Sequence, residues 1–350
     1  MVIRQHFDPV SSTYSYLLVE RASHDAVLID PVLEQHNRDA ALIRELGARL
    51  LCTLDTHCHA DHITGAWRMK EAFGSRIGLS AAYGARNVDL PLTHGMVVRF
   101  GNQALEVRAT PGHTQGCLSF VSADRRTVFT GDALLVRAVG RTDFQQGDAA
   151  QLFDSVHGQL FTLPDDCIVY PGHDYEGRTS STIGEERRYN ARLGGEANKR
   201  DFIGYMENLG LPHPKLLAVA VPANLTSGRD PGVTIPAPPG WGPVVETYAG
   251  VPEIAPDWLG RHRADVELVD VRTRAEFDGE LGHLEGAKLL PLDELRMRMD
   301  ELTGCKPIVL ICQTGKRSAM AATMLRKAGL PRVANLAGGM ARWRKLGLPR

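Results

Sequence analysis

The chain has 350 residues and a formal net charge of −1, so it can hold two domains with full cores and has no overall basic field for nucleic acid or an anionic membrane. Its apolar runs fall short of the roughly 18 residues of a membrane span, and residues 1–8 lack the apolar segment of a signal peptide. The six cysteines are scattered, which favours free thiols in a reducing compartment. We therefore predict a cytoplasmic protein of two domains.

Short apolar segments in the first 225 residues each end in a polar or glycine-rich turn, which is typical of strands. Four of them, 50–55, 105–110, 127–130 and 167–170, run into His57, His113, Asp132 and His173. Residues at the strand ends of a layered α/β fold commonly form its binding site. Because imidazoles and carboxylates that converge on one point are what a divalent metal needs, the pattern predicts a metal site.

The first of these turns is the richest in donors and reads His57-Cys58-His59-Ala60-Asp61-His62. A set of hydrogen-bonded turn histidines would leave this crowding of mutually repulsive donors unexplained. With the three donors from the other strand ends, the chain offers seven candidate ligands.

The pattern His-x-His-x-Asp-His, followed by Pro-Gly-His, Gly-Asp and a second Pro-Gly-His, resembles the metallo-β-lactamase superfamily over residues 1–225. This resemblance implies an αββα sandwich with the metal at one edge of two packed sheets. It does not decide the reaction, because the superfamily includes zinc hydrolases and iron oxygenases.

Two branches of the superfamily compete. Glyoxalase II enzymes hydrolyse a glutathione thioester with two metals, and their first motif typically has His where this chain has Cys58. Persulfide dioxygenases bind a single Fe(II) and oxidise glutathione persulfide. Segments outside the metal motif resemble the dioxygenases, namely 131–135, 140–147, 171–175 and 221–224. We therefore predict a dioxygenase and keep the thioester hydrolase as the alternative.

The resemblance to the dioxygenases implies that His57, His113 and Asp132 hold one Fe(II) per chain. Two imidazoles and one carboxylate leave positions open for substrate and O₂. Four further residues would then surround and orient these ligands, namely His59, Asp61, His62 and His173. A two-metal hydrolase would use all seven directly, and the sequence does not exclude the second metal.

Glutathione carries two carboxylates, so its pocket should offer cationic and phenolic donors. By resemblance, Arg141 and Tyr175 match positions near the substrate of the dioxygenases, and Arg178 is close enough in sequence to join them. An ordinary structural salt bridge is the alternative for each arginine.

Residues 226–245 contain the densest run of proline and glycine in the chain and predict a stiff linker. Beyond it, strand-like segments at 266–271 and 307–311 and a helical segment at 318–328 predict a small parallel α/β domain over residues 246–350.

A second reactive motif, Cys312-Gln313-Thr314-Gly315-Lys316-Arg317, joins the last of these strands to the helix. A loop that turns its backbone amides inward forms an anion nest, and the helix N-terminus, Lys316 and Arg317 add positive charge. We predict that Cys312 is a nucleophile of lowered pKa, with Lys316 and Arg317 beside it and Gln313, Thr314 and Gly315 binding the substrate. Four other cysteines, Cys52, Cys117, Cys167 and Cys305, we interpret as packing residues.

The surroundings of this loop resemble the rhodanese family over residues 246–350. The matching segments are 270–272, 282–287, in which Glu285 replaces the usual proline, and 336–340 with Trp343. The loop has four residues between Cys312 and Arg317, where related phosphatases have five, and the tighter loop favours a sulfane sulfur. The resemblance implies that Cys312 carries sulfur between thiosulfate and glutathione.

We therefore predict a fusion of a persulfide dioxygenase with a rhodanese, in which the first domain converts glutathione persulfide, O₂ and water into glutathione and sulfite. The predicted partners are glutathione persulfide, glutathione, O₂ and thiosulfate or sulfite, without nucleic acid or membrane, and a homodimer is a candidate assembly. Two alternatives stay open, a glyoxalase II-like thioester hydrolase with an appended sulfurtransferase and a persulfide sensor without turnover. The sequence leaves the direction of sulfur transfer open.

Overall fold

The strands between residues 2 and 92 form a six-stranded sheet. They are β1 (Val2–Asp8), β2 (Thr13–Val19), β3 (Asp25–Ile29), β4 (Arg49–Leu54), β5 (Arg76–Ser80) and β6 (Leu90–Leu92). They lie in chain order, with β1 to β3 antiparallel and β3 to β6 parallel. The computed structural model describes residues 1–212, 214–229, 240–302 and 304–349.

A second six-stranded sheet follows. Its strands are β7 (Val97–Phe100), β8 (Gln103–Ala109), β9 (Leu118–Ser122), β10 (Thr127–Gly131), β11 (Ile168–Pro171) and β12 (Ser181–Thr182). They also follow chain order, and only β10 and β11 pair in parallel within this sheet. The strands predicted from the four donor-bearing segments are confirmed as β4, β8, β10 and β11, with some ends shifted.

The main core lies between these two sheets, and helices cover their outer faces. The helices are α1 (His36–Glu45), α2 (Ala66–Phe73), α3 (Ala149–Ser155), α4 (Ile183–Tyr189), α5 (Lys199–Glu207) and α6 (Leu217–Asn224). Because side chains alternate along a strand, β2 sends Tyr16 and Leu18 to the core between the sheets and Leu17 toward α1 and α2. Residues of α3, α4 and α5 pack on the outer face of the second sheet. The predicted αββα sandwich is confirmed.

The remaining strands form a third sheet. They are β13 (Val245–Glu246), β14 (Pro252–Ile254), β15 (Glu267–Asp270), β16 (Lys288–Leu289), β17 (Ile308–Ile311) and β18 (Val333–Leu336). Their order is β13-β14-β18-β17-β15-β16, and all pairs are parallel except β13 with β14. The predicted small parallel α/β domain is confirmed.

Helices cover both faces of this third sheet. They are α7 (Pro256–His262), α8 (Arg274–Phe277), α9 (Leu295–Arg298), α10 (Lys316–Lys327) and α11 (Gly339–Lys345). Leu310 of β17 faces α10, whereas Val309 faces the side of α7 and α11. Strands buried on both faces read as continuous apolar runs, which is why 308–311 contains no polar residue.

The chain divides into two compact units, 1–234 and 235–350. The middle of the predicted linker, 230–239, lies outside the described residues. Its described ends belong to the units, because Ser227 Oγ donates to the Arg86 carbonyl at 2.8 Å and Val244 packs against the core of the third sheet. The predicted domain boundaries remain a prediction.

Two further features bear on the predictions. Cys305 is exposed because it lies in the turn before β17, so its interpretation as a packing residue is wrong, whereas Cys52, Cys117 and Cys167 are buried. Among the described residues, no helix combines the length and apolar character needed to cross a bilayer.

Candidate functional site

The donor-rich turn 57–62 follows β4 and is held by buried polar groups on both sides. Asp30, at the end of β3, accepts hydrogen bonds from the Thr56 backbone amide at 2.7 Å and from Thr56 Oγ1 at 2.9 Å. Asn224, the last residue of α6, donates to two main-chain carbonyls of the turn, each at 2.9 Å. The turn is therefore fixed before any ligand binds.

His57, His113 and Asp132 each bring one ligand atom into a group whose members all lie within 4.8 Å of one another. All three are buried, and His113 Nε2 lies 3.6 Å from Asp132 Oδ2. His113 Nδ1 lies 2.6 Å from the Arg141 carbonyl, so Nδ1 carries the proton and Nε2 keeps its lone pair. Two imidazoles and a carboxylate in this arrangement fit a divalent metal.

Asp132 and His173 meet because they follow β10 and β11, which are neighbouring parallel strands. His173 Nδ1 lies 2.7 Å from Asp132 Oδ1, and this contact orients the carboxylate. The glycine of the second Pro-Gly-His turn is required here, since a Cβ on Gly172 would lie 2.6 Å from Asp132 Oδ1.

Asp61, His62 and His173 form a second group beside the first. His62 Nδ1 and His173 Nε2 each lie 3.0 Å from the same oxygen, Asp61 Oδ2. His59 Nδ1 and His62 Nε2 are buried and have no hydrogen-bond partner among the described residues. Ordered water or an ion is the natural partner of such nitrogens.

The electrostatics of the site favour ligation by the first group. Burial lowers the pKa of His57 and of His59 well below the ordinary histidine value, so both imidazoles are neutral. Burial alone would raise the pKa of Asp132, but the charge of His173 and its hydrogen bond hold that pKa well below its usual range. The carboxylate is therefore ionised and ready to bind a cation.

Arg141 lies beside the metal group but its guanidinium is already engaged. Nε and Nη2 each lie 2.6 Å from an Asp143 oxygen, and Nη1 and Nη2 reach the carbonyls of Pro212 at 2.6 Å and Leu211 at 2.9 Å. Its contact with glutathione stays a prediction, and a substrate carboxylate would have to share this guanidinium.

Tyr175 and Arg178 differ in their accessibility to a substrate. The Tyr175 side chain is 75% exposed, and its ring lies parallel to that of His173 with 6.2 Å between the centroids. Arg178 pairs with Glu176 and donates to the Val136 carbonyl at 3.4 Å. Tyr175 is thus the more accessible of the two predicted contacts, and both stay predictions.

The Cys312 loop wraps around a buried sulfur. Cys312 Sγ accepts hydrogen bonds from the Gly315 backbone amide and from Ser318 Oγ, each at 3.1 Å. Gly315 has φ of 90°, a left-handed conformation that suits glycine, and α10 begins at the next residue. Burial would raise the pKa of the thiol, but the Ser318 hydroxyl and the amides of Ser318, Thr314 and Gly315 lower it below its ordinary value.

The charged residues of the loop are placed differently. Arg317 donates from Nη1 and Nη2 to the Glu276 carboxylate at 2.7 and 2.5 Å, and this contact lowers the pKa of Glu276 to about 2. Lys316 is exposed, as are Gln313 and Thr314. Lys316 is therefore the more accessible cation for an incoming anion, whereas Arg317 is held by an acid.

The flanking motifs of the second domain support the loop. Buried Arg272 donates to Asp270 at 2.6 Å and to the Gly282 carbonyl at 2.7 Å. The amides of residues 340 and 341, at the start of α11, donate to the carbonyls of residues 312 and 313, each at 2.9 Å. The start of α11 thus holds the loop backbone directly, whereas Arg272 joins the two flanking segments 270–272 and 282–287 to each other.

Sequence reasoning missed several residues that hold these sites. Asp30 could have been identified from the sequence, because it follows an apolar, strand-like segment in the same way as the predicted ligands. Ser318 was less evident from the sequence, where it is only a hydroxyl residue in the first turn of the helix that follows the loop. Thr13 and Asn335 could not have been identified from the sequence, because each reaches its site only through tertiary contacts.

Ser318→Ala is expected to raise the pKa of the Cys312 thiol, because it removes a hydrogen-bond donor to the thiolate. The pH midpoint of Cys312 alkylation by iodoacetamide should therefore move upward. Asn335→Ala is the matched control. Ser318 Oγ has one proton, and it also lies 2.5 Å from Asn335 Oδ1, so removing that competing acceptor should leave the midpoint unchanged or lower it. An unchanged midpoint in Ser318→Ala would contradict the assignment.

Comparison with known proteins agrees with this geometry. Residues 8–173 match the metallo-beta-lactamase superfamily, and residues 255–346 match the rhodanese-like domain. The human mitochondrial persulfide dioxygenase ETHE1 is 53% identical over 229 residues, which are 65% of this chain and 89% of that protein.

Two solved structures extend the comparison. The crystal structure of ETHE1 from Myxococcus xanthus is 49% identical and covers 65% of this chain and 100% of its own, with a TM-score of 0.63. A metallo-beta-lactamase from Staphylococcus aureus is 24% identical and covers 96% of this chain and 98% of its own at a TM-score of 0.60, which supports the fold alone. The chain belongs to the persulfide dioxygenase family within the metallo-β-lactamase superfamily and carries a rhodanese-like domain after it.

Proposed function

We propose that the first domain oxidises glutathione persulfide at a single Fe(II), with O₂ and water as co-substrates and glutathione and sulfite as products. The observation that carries the proposal is the buried group of His57, His113 and Asp132. Two imidazoles and one carboxylate are typical of non-heme Fe(II) oxygenases. The identity to persulfide dioxygenases over most of their length supports the same substrate.

When bound, the iron would supply open positions for the persulfide and O₂. The four electrons that reduce O₂ come from the outer sulfur of the persulfide, which is oxidised to sulfite. The surrounding residues position its ligands. The Arg141 carbonyl fixes the ring of His113, and His173 holds one oxygen of Asp132 so that the other points toward His113. Arg141, Tyr175 and Arg178 would bind the glutathione moiety.

The second domain would transfer a sulfane sulfur through Cys312. The Cys312 thiolate attacks the outer sulfur of thiosulfate, the S–S bond breaks and sulfite leaves with the bonding electrons. A glutathione thiolate then attacks the sulfur held on Cys312, which forms glutathione persulfide and regenerates the Cys312 thiolate. Each step is reversible, so the same site would also convert sulfite and glutathione persulfide into thiosulfate. The lowered pKa of Cys312 supports this role.

The proposal couples the two reactions, because glutathione persulfide and sulfite are common to both. It places the protein in the cytoplasm, as a candidate homodimer, with small sulfur compounds and O₂ as its partners. A thioester hydrolase would need two metals, and a sensor would need neither turnover nor an activated thiol.

Protein expressed without added metal is expected to contain about one equivalent of iron, because one buried group combines two imidazoles with a carboxylate. Elemental analysis and an oxygen electrode test this together. Oxygen uptake with glutathione persulfide supports the dioxygenase. Two equivalents of zinc with thioesterase activity would establish the hydrolase instead, and iron without uptake would favour the sensor.

Arg141→Ala is expected to raise KM for glutathione persulfide at unchanged iron content. A hydrogen bond to a charged group contributes about 1.5–3 kcal/mol, so kcat/KM should fall roughly 10- to 100-fold. Asp143→Asn is the matched control, since it removes the ionic partner of Arg141 and leaves the arginine. If the arginine is only structural, both variants should show the same defect. If Arg141 binds the substrate, Asp143→Asn should leave KM for glutathione persulfide unchanged or lower it.

A further inference from the structure

A buried threonine hydroxyl lies among the donors that a second metal ion would use. Thr13 is the first residue of β2 and is 0% exposed. Its Oγ1 lies 3.0 Å from Asp61 Oδ2, 3.1 Å from His173 Nε2 and 3.3 Å from His62 Nδ1. Asp61, His173 and His62 are candidate metal ligands that do not belong to the group of His57, His113 and Asp132.

The backbone fixes the position of this hydroxyl. Thr13 forms an isolated antiparallel bridge with His173, and the Tyr14 amide donates to the Gly172 carbonyl at 2.8 Å. The backbone of Thr13 is therefore tied to the turn that carries His173. This holds the Cα of Thr13 beside the cluster, and the hydroxyl completes the contact through its own hydrogen bond to Asp61.

A second hydroxyl lies beside Thr13 but is held by another residue. Ser11 Oγ lies 2.8 Å from Thr13 Oγ1, but its single proton also has Asp8 Oδ2 as an acceptor at 2.7 Å, and the Ser11 amide donates to the same Asp8 oxygen at 2.8 Å. Because a carboxylate is the stronger acceptor, Ser11 donates to Asp8, and Thr13 donates to Asp61 Oδ2.

Asp61 is the carboxylate shared by the two candidate groups that contain His62, while a further group of Asp30, Asp55 and His59 lies outside the reach of Thr13. Asp61 stands with His62 and His173 in the cluster around Thr13, and with His59 and His62 in a group whose ligand atoms lie within 4.8 Å of one another. Its Oδ2 already has three hydrogen-bonding neighbours, Thr13, His62 and His173. A ligand oxygen needs a lone pair directed at the metal, and a nitrogen that donates a proton cannot ligate.

We propose that the contacts of the Thr13 hydroxyl with Asp61, His62 and His173 prevent these residues from binding a second metal ion. The protein would then bind one metal ion per chain. The inference rests on the proposed single-metal function. Removing the hydroxyl takes away one of the three hydrogen-bonding neighbours of Asp61 Oδ2. The buried nitrogens His59 Nδ1 and His62 Nε2, which have no partner among the described residues, could then ligate a second ion together with this oxygen. Thr13 acts on the metal count and not on the reacting atoms.

Metal stoichiometry tests this without relying on activity. Full-length wild type, Thr13→Ala, Thr13→Val and Thr13→Ser are stripped with a chelator and equilibrated with excess Co(II). Bound cobalt is measured after gel filtration, and circular dichroism verifies folding. We expect about one equivalent for wild type and Thr13→Ser, and about two for the variants without the hydroxyl. Two ions about 3.5–4 Å apart should also couple magnetically, which electron paramagnetic resonance detects.

Two controls locate the second ion. Ser11→Ala removes a neighbouring hydroxyl that does not touch Asp61, and it should stay at one equivalent. Adding His62→Ala to Thr13→Ala should return the count to one. If folded Thr13→Ala and Thr13→Val both stay at one, the inference is overturned while the single-metal function stands. If wild type itself binds two, the inference and the single-metal function both fail.

Discussion

Cys312→Ser is expected to abolish sulfur transfer from thiosulfate to glutathione while leaving the oxidation of supplied glutathione persulfide close to the wild-type rate. The substitution removes the nucleophile and conserves its approximate size. The oxygen atom of serine is not ionised at neutral pH, so the hydrogen bonds that stabilise a thiolate in this loop have no anion to hold. Removing a nucleophile of this kind typically costs several orders of magnitude in kcat.

Oxygen uptake makes the coupling of the two reactions visible. With thiosulfate and glutathione as the only sulfur sources, wild type should consume oxygen steadily and Cys312→Ser almost none. Adding glutathione persulfide directly should restore uptake in the variant. Cys305→Ser is the matched control, because Cys305 is an exposed cysteine of the same domain outside the loop, and it should behave as wild type. Uptake from thiosulfate and glutathione at the wild-type rate in Cys312→Ser would disprove the coupling.

The sequence was sufficient to predict the elements that carry the ligands. Among the strands that lead to these ligands, β10 is buried along its whole length, as expected of a strand covered on both faces. By contrast, β8 and β11 alternate between more and less buried residues, which is the period-2 pattern of a strand with one face in the core. The end of a strand is also where the chain leaves the sheet, so a donor placed there reaches a common edge. Both domains and the αββα sandwich followed from this logic and from family resemblance.

The hydrogen-bond partners of the site were much harder to predict. Arg141 reaches carbonyls about 70 residues away in sequence, at Leu211 and Pro212, and no periodic pattern records such a contact. Glu276 was equally hidden, since it pairs with Arg317 and also forms the capping box of α8 with Thr273. A charged residue in a motif can bind a substrate or a neighbouring side chain, and only three-dimensional packing decides between them.

His113→Ala is expected to do the reverse of Cys312→Ser, with loss of bound iron and of oxygen uptake from every sulfur source but retention of sulfur transfer. Its Nε2 lies 3.6 Å from Asp132 Oδ2, and its other nitrogen is committed to the Arg141 carbonyl. Removing even an outer hydrogen-bond partner of a ligand costs about 10- to 100-fold in metal affinity, so loss of the ligand itself should cost more. Elemental analysis, the oxygen electrode and a sulfite assay with thiosulfate and glutathione measure the three quantities.

Two comparisons separate a lost ligand from a damaged fold. His24→Ala changes an exposed histidine and should leave all three quantities unchanged. Added imidazole can occupy the space of the deleted side chain, so it should restore part of the iron content of His113→Ala.

Mixing His113→Ala with Cys312→Ser should then recover oxygen uptake from thiosulfate and glutathione, because a diffusible persulfide made by one variant is oxidised by the other. If His113→Ala keeps its full iron content, the metal group has been assigned to the wrong residues. If the mixture stays inactive although each variant retains its own reaction, the persulfide does not pass through solution.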